Sequence, residues 1–535
     1  MSMSTTRRLG SLWFRVLADG LEAALALLGR SPRTVVLPLL RLPGAERLRW
    51  HGGRLRAWRT ATVAARTVPA YRDLLAATGT RPPRTPRDLA GLPVTDKASY
   101  VVPHRIEDLC RGGRLPARGL GLDESSGSTG HPTSWARGAA ERRATSVLLQ
   151  ATFARSLGGG GGPARVPLVD DVPVVLNAFS LGAWATGMSV STALGPVTRL
   201  KSTGPDVGKV VETMRALGPG YRYVLLGYPP FLKDVADDPR IDLTRYEVAA
   251  GFGGEAISES MRSHLLQHYT RVLGSYGASD LEINIAAETD LGVAVRRRMA
   301  ADPALRRALT GREDGPLPMV FQYNPLDYVL ETSADGELLV TVARRGTLSP
   351  RVRYDIHDLG TVVRLPRLRR VLRAHGCEDL LALATTDLPL LLHGGRSDAS
   401  VDFYGAVVTV DEVREALYAE PALAAAVRRF RLLRWEEADA TPRLDVVVEH
   451  APGAECPADG ALSARVLARL RAGNGDLHNA CRIAPARVLP TVRVVGPGEA
   501  PFDDGDDARL KQRYVERAPA ARTLTPAAAG PRTAC

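Results

Sequence analysis

Between residues 90 and 390, short runs of Val and Leu such as 172–176 and 223–226 alternate with amphipathic stretches such as 259–269. Strands this short and this continuously apolar are buried on both faces. Separated by helix-length segments, they pair in parallel through crossovers, so the pattern calls for a mainly parallel α/β sheet covered by helices. Around 326–364 the pattern changes. The segments 327–331, 336–342 and 358–365 are joined by turn residues and read as antiparallel strands of a small β-barrel.

The flanks differ from this centre. Residues 1–90 carry helical periodicity broken at Pro43 and Pro69 and end in a Pro-rich run at 81–86, which reads as an N-terminal helical layer. A large domain follows over 91–394. The run GGRSDAS at 394–400 then marks a boundary, and 395–517 reads as a smaller α+β domain with helices at 410–419 and 462–471 and strands at 444–449 and 492–495. The tail 518–535, rich in Ala, Pro and Thr, is expected to be disordered, and the five glycines at 158–162 to be a flexible loop. A chain of 535 residues has room for two to four such units.

A formal net charge of +12 would suit a nucleic-acid partner. The charge is almost all Arg, however, and it is scattered; the five lysines are Lys97, Lys201, Lys209, Lys233 and Lys511. The denser stretches 364–373 and 428–434 carry apolar residues at alternating spacing and read as solvated faces of ordinary elements, so no nucleic-acid role is expected. Cys110, Cys377, Cys456, Cys481 and Cys535 form no C-x-x-C pair, which points to a reducing, cytoplasmic setting without disulfides or structural zinc. No uncharged run reaches the length of a membrane span, so no integral membrane segment is expected. Oligomeric state is not legible.

The segment Glu124-Ser125-Ser126-Gly127-Ser128-Thr129-Gly130-His131-Pro132-Thr133 concentrates hydroxyls and glycines. Glycine lets backbone N–H groups approach an anion closely, and hydroxyls add donors, so the loop suits a triphosphate. It is not the G-x-x-x-x-G-K-[ST] loop, because His131 follows Gly130. On composition alone, an exposed Ser/Gly turn is an equal reading.

The order of residues resembles the SSGTTGKPT phosphate loop of the adenylate-forming enzymes, in the branch of phenylacetate–CoA ligase and coenzyme F390 synthetase. His131 stands where that pattern usually has Lys. Further segments resemble the family's motifs in the same order. Leu92-Pro93-Val94-Thr95-Asp96-Lys97 is similar to LPxTxK, with Lys97 itself read as a surface cation at a helix cap. Gly251-Phe252-Gly253-Gly254-Glu255-Ala256 resembles the GGE turn that borders adenine. Ser275-Tyr276-Gly277-Ala278-Ser279-Asp280 resembles the YG[TS]E motif, which implies that Tyr276 stacks on adenine, Ser279 lies near the phosphates and Asp280 replaces the Glu that binds Mg²⁺. Glu282 is a nearby alternative carboxylate. Arg353-Tyr354-Asp355-Ile356-His357-Asp358-Leu359-Gly360 resembles RYRTxDL, which makes Asp358 the acceptor of both ribose hydroxyls, while Asp355 stands where an Arg is usual. Gly395-Arg396-Ser397-Asp398 resembles the opening of the family's C-terminal domain, with Arg396 on the nucleotide and Asp398 as hinge. Lys511, in Gly505-Asp506-Asp507-Ala508-Arg509-Leu510-Lys511, falls where the terminal catalytic lysine is expected.

The resemblance implies a large N-terminal domain of α/β subdomains with a small β-barrel, followed by a small mobile α+β C-terminal domain. It implies activation of a carboxylic acid by ATP and Mg²⁺ as acyl-AMP, then transfer to a thiol, most simply CoA. A carrier-protein thiol, an amine, adenylyl transfer as in F390 synthesis, and a nucleotide-binding homologue without turnover are the alternatives. Lys511, Thr129 and His131 are the catalytic candidates. Ser125, Ser126, Gly127, Ser128, Thr129, Gly130, Gly254, Glu255, Tyr276, Gly277, Ser279, Asp358 and Arg396 are expected on the nucleotide. Phe179, Trp184, Tyr228 and Phe252 are expected around the acid and suit an aromatic one.

Overall fold

The structure is a computed structural model, and it describes residues 3–28, 37–42, 44–125, 133–157, 171–313, 317–344, 346–397, 400–418, 427–450, 460–483, 488–502 and 515–517. Strands β1 (Gly121–Ser125) and β2 (Thr133–Arg137) pair antiparallel, with Ser125 opposite Thr133. The apolar runs form the parallel half of a large sheet: β3 (Val174–Asn177), β4 (Arg199–Ser202), β5 (Arg222–Gly227), β6 (Glu247–Gly253) and β7 (Arg271–Tyr276), in the order β4-β3-β5-β6-β7. Every residue of β3, β5 and β6 is buried, as internal parallel strands covered on both faces require.

β8 (Ala286–Ala287) reverses the direction. β9 (Met319–Tyr323), β10 (Tyr328–Thr332), β11 (Glu337–Val342), β12 (Tyr354–Val363) and β13 (Leu390–Arg396) then extend the same sheet antiparallel, in the order β7-β8-β9-β13-β12-β11-β10, to eleven strands. The expected antiparallel strands are thus present, but among the described residues they do not close into a barrel of their own. The reason is β13, which pairs with β9 on one side and β12 on the other and carries the ladder across.

Helices Met3–Leu28, Glu46–Thr67 and Pro69–Ala77 form the N-terminal layer, with Pro69 at a first helical turn, where its missing N–H costs nothing. Buried Arg56 ties this layer to the sheet by pairing with Glu22 at 2.9 Å and with Asp327 at 3.1 Å. No described helix is long and apolar enough to cross a membrane.

The remaining strands build two smaller sheets. β14 (Ser400–Phe403) and β15 (Ala406–Thr409) form an antiparallel pair. β16 (Val427–Glu436), β17 (Pro442–His450), β18 (Thr491–Val495) and β19 (Val515–Arg517) lie in the order β18-β17-β16-β19. Helices Val410–Tyr418, Gly460–Gly473 and Gly475–Ile483 accompany them, and Val401, Phe403, Leu432, Val446 and Leu477 share a core separate from that of the large sheet. The Arg-rich stretch 428–434 is not a solvated face. Arg429 and Arg431 are buried, because Glu449 accepts from Arg429 Nε at 2.6 Å, the Pro501 carbonyl accepts from Arg431 at 2.6 Å, and both guanidinium groups lie over Phe502. The stretch 364–373 fits its reading better: helix Leu365–Ala374 buries Leu365, Leu368 and Leu372 and exposes most of its arginines.

Candidate active site

A cavity of about 1110 Å³ opens at the C-terminal ends of β5, β6 and β7, where open parallel sheets place their ligands, and is bounded on another side by the small sheets. Its wall includes Gly254, Glu255, Tyr276, Gly277, Ser279, Asp280, Asp358 and Arg396, together with Phe179, Trp184, Tyr228 and Phe252. Ser126, Gly127, Ser128, Thr129, Gly130, His131, Asp398 and Lys511 lie outside the described residues.

Asp358 is the centre of one cluster on the wall. Its Oδ2 accepts from the Tyr276 hydroxyl at 2.7 Å and lies 3.2 Å from His393 Nε2. Burial pushes the Asp358 carboxyl up, but the charges of His393 and Arg396 and the bonds from His393 and Tyr276 outweigh it and hold the group below the usual carboxylate range. Burial and the neighbouring Asp358 push the Tyr276 phenol well above its ordinary value, so it stays a donor. The ring of Tyr276 stacks at 5.8 Å and 27° on Phe321 and lies 4.6 Å from the His393 ring.

A second cluster gathers around Asp280. Tyr354 donates to Asp280 Oδ2 at 2.9 Å, and Arg351 Nε donates to the Asp280 carbonyl at 2.9 Å. Glu282 does not share this place. It is buried away from the cavity, where its carboxylate accepts from the Tyr328 hydroxyl at 2.6 Å and pairs with Arg344, so it is a structural anion rather than a second metal ligand. Thr95 docks the preceding motif here: its N–H donates to the Arg353 carbonyl at 3.2 Å, and its carbonyl accepts from Asp355 N at 2.8 Å. Lys97 consequently lines the cavity and is not a cap; the cap is Asp96, which accepts from Ser99 N at 2.6 Å. Thr133, at the base of the phosphate loop, also lines the cavity, and Arg137 on β2 pairs with Glu141 at 3.0 Å and donates to the Ser279 carbonyl.

Two of the expected residues also have partners elsewhere in the protein. Glu255 lines the cavity, and its carboxylate accepts from Gly405 N and lies 3.3 Å from Arg434, both on the small-sheet side. Burial raises its pKa to about 7, against the pull of Arg434. Phe252 borders the cavity, but strand alternation turns its ring into the central core, with the Arg262 guanidinium 5.8 Å from its centre. Gly254 is required twice over, since its φ is +81° and a Cβ there would sit 2.7 Å from the Tyr228 ring. Asp355, in the place of the usual Arg, accepts from His357 N at 2.7 Å beside Glu337, and burial raises its pKa to about 6.

No family model matches the chain, and no curated protein does. Among solved structures, 2-hydroxyisobutyryl-CoA ligase, in complex with 2-HIB-AMP and CoA in the thioesterification state, aligns with a TM-score of 0.60 over 89% of this chain and 91% of that one, at 16% identity. This is the adenylate-forming ligase fold. Amide bond synthetase McbA from Marinactinospora thermotolerans aligns at a TM-score of 0.42, 18% identity, 72% of this chain and 68% of that one, and a malonyl-CoA ligase with methylmalonyl-CoA and AMP bound at 0.39, 16%, 81% and 83%. Scores that low add nothing to the assignment of the ligase fold.

Within this fold, His393 is the site residue that motif reading passes over. Its signal is a lone imidazole in the apolar run of β13, two strand positions before Gly395-Arg396 and on the strand paired with the one bearing Asp358. Arg434 and Tyr404 were missed as well, since their approach to the cavity depends on how the small sheets dock.

Proposed function

We propose that the chain activates a carboxylic acid with ATP as an enzyme-bound acyl-AMP and passes the acyl group to a thiol, with CoA as the preferred acceptor, in the manner of phenylacetate–CoA ligase. The observation that carries this reading is the convergence of Asp358, Tyr276, Arg396, Gly254 and Asp280 from four separate motifs on one cavity. A buried carboxylate kept ionised beside a phenol, an imidazole and a guanidinium suits a vicinal diol, which needs two acceptor oxygens.

In the proposed reaction the acid's carboxylate oxygen attacks the α-phosphorus, pyrophosphate leaves, and a thiolate then attacks the acyl carbonyl and releases AMP. Asp358 holds the ribose, Tyr276 borders the adenine, and the loop with Ser126, Gly127, Ser128, Thr129, Gly130 and His131 receives the phosphates. Lys511 supplies positive charge to the oxygens that gain charge during adenylation, and Asp398 is the hinge. Asp280 fits Mg²⁺: a carboxylate at the cavity wall, with one oxygen steadied by Tyr354, is a hard donor for an ion that keeps several waters and takes phosphate oxygens. When bound, Mg²⁺ would neutralise phosphate charge.

ATP–pyrophosphate exchange over a panel of acids tests the reading. Acid-dependent exchange that is lost in Lys511→Ala is the expected outcome. ATP binding without exchange for any acid would replace it with a nucleotide-binding protein of the same fold. CoA-dependent thioester formation, set against hydroxamate trapping and amine acceptors, decides the second step.

A further inference from the structure

Helices Pro229–Ala236 and Glu259–His268 follow β5 and β6 and pack together. Buried Tyr269, one residue past the second helix, fixes their relation by donating its hydroxyl to the Leu232 carbonyl at 2.8 Å. The second helix buries Met261, Arg262 and Leu265, which leaves His264 and His268 half-buried at its edge. Four residues apart, they share one face, with ring centres 5.6 Å apart. Asp237, at the end of the first helix, completes the group. His264 Nε2 lies 2.7 Å from Asp237 Oδ1, and one ligand atom from each of the three residues lies within 4.8 Å of the other two. None of the three lines the cavity.

Two imidazole nitrogens and a carboxylate oxygen are a donor set for late first-row divalent metals, whereas Mg²⁺ and Ca²⁺ take oxygen ligands. Bonds of about 2.0–2.2 Å place ligand atoms roughly 3–3.5 Å apart around an ion, so small turns of these partly exposed side chains would close the group. The neighbouring carboxylates are engaged elsewhere: Asp238 holds Arg240 at 2.7 Å, and Asp242 caps Thr244 N at 3.0 Å. Between the histidines stand Leu265, Leu266 and Gln267, with no Glu to act as a base on metal-bound water. The group therefore suits a linking ion rather than a hydrolytic one.

Asp237 is also tied to the small sheets. Its Oδ2 accepts from Lys233 Nζ at 2.6 Å, and the same Nζ donates at 3.1 Å to Asp439, in the turn between β16 and β17. Lys233 is buried, so its charge depends on these two carboxylates. An ion on Asp237 Oδ1 draws the carboxylate's charge away from Lys233 and makes Asp439 its main counter-ion. We propose that Asp237, His264 and His268 bind a divalent late transition-metal ion, with Zn²⁺ the best fit, and that the bound ion strengthens docking of the small sheets through Lys233 and Asp439. The ion takes the place of the proton that His264 Nε2 donates to Asp237, and that proton moves to Nδ1 or to water. Coupling of this kind is reciprocal, so docking tightens the ion by the same factor.

The test is isothermal titration of Zn²⁺ into the tag-free full chain, stripped with a chelator and held in excess Mg²⁺. His264→Ala and His268→Ala should each weaken one Zn²⁺ site by about 100-fold or more, beyond the scale of a group that only orients a ligand. His264→Gln keeps a donor for Asp237 and serves as a second variant should an alanine variant unfold. Fluorescence transfer between labels on the large and small sheets reads the second half of the proposal. Zn²⁺ should raise the ratio of docked to undocked protein by about fivefold or more in the parent, and less in Asp439→Asn, which keeps all three ligands. No Zn²⁺ binding by the parent, or parent affinity retained in His264→Gln and His268→Ala, overturns the site. Docking that ignores Zn²⁺, or responds equally in Asp439→Asn, overturns the coupling.

Discussion

The Tyr276 hydroxyl donates to Asp358 Oδ2 at 2.7 Å, joining β7 to β12 across the intervening strands β8, β9 and β13. This bond and the approach of His393 hold the carboxylate in one orientation at the cavity wall. Asp358→Ala should raise the Kd for ATP by roughly 10- to 100-fold, the scale of hydrogen bonds to a charged group, and Tyr276→Phe by less, about 3- to 10-fold. Isothermal titration with ATP measures both. An equal loss for an ATP analogue lacking the ribose hydroxyls would remove the ribose role of Asp358.

Two neighbouring carboxylates should respond in opposite ways. Glu282→Ala takes the nearer carboxylate from buried Arg344, leaving Asp327 at 3.7 Å, and should cost about 3 kcal/mol of stability, read as a fall in Tm. Asp280→Asn keeps an oxygen for Tyr354 and should change Tm little, while raising the Mg²⁺ concentration needed for half-maximal exchange.

Docking of the small sheets is expected to depend on pH through Glu255. Its pKa is about 7 in the docked state because burial exceeds the pull of Arg434, with Asp402 adding to the rise and the Gly405 N–H opposing it. An undocked, hydrated Glu255 would return towards the usual carboxylate value, so docking takes up a proton between the two values and weakens as pH rises through that window. The docking equilibrium should fall by up to about tenfold per pH unit there. Fluorescence transfer between labels on the two parts should show this in the parent protein and a flat response in Glu255→Gln.

Gly254 and Gly405 flank one ring. A Cβ would sit 2.7 Å from the Tyr228 ring at Gly254 and 3.0 Å from it at Gly405, and both glycines have positive φ, +81° and +80°. Gly405→Ala should therefore loosen docking, with a strain of about 1–2 kcal/mol, and Tyr228→Phe should leave that strain in place. Limited proteolysis near residues 397–400 provides the measure, with faster cleavage expected in Gly405→Ala alone.

Much of the cavity wall was legible because its chemistry is local. Short glycine turns, a phenol at the end of a strand and a carboxylate within one announce themselves in a few consecutive residues, as Gly253-Gly254, Tyr276 and Asp358 do. The alternation of apolar runs with amphipathic helices likewise determined a parallel sheet, since strands buried on both faces leave no other periodicity. What a side chain touches across hundreds of residues was decided only in three dimensions. Glu255 and Phe252 sit in one motif, yet one reaches Gly405 and the other turns into the core. Glu282 and Asp280 are two residues apart, yet one is held by Arg344 and the other opens on the cavity. The sheet runs unbroken into its antiparallel half because β13 returns between β9 and β12, a long-range pairing with no local signature. Burial and charge pairing depend on these distant neighbours, and local sequence carries no record of them.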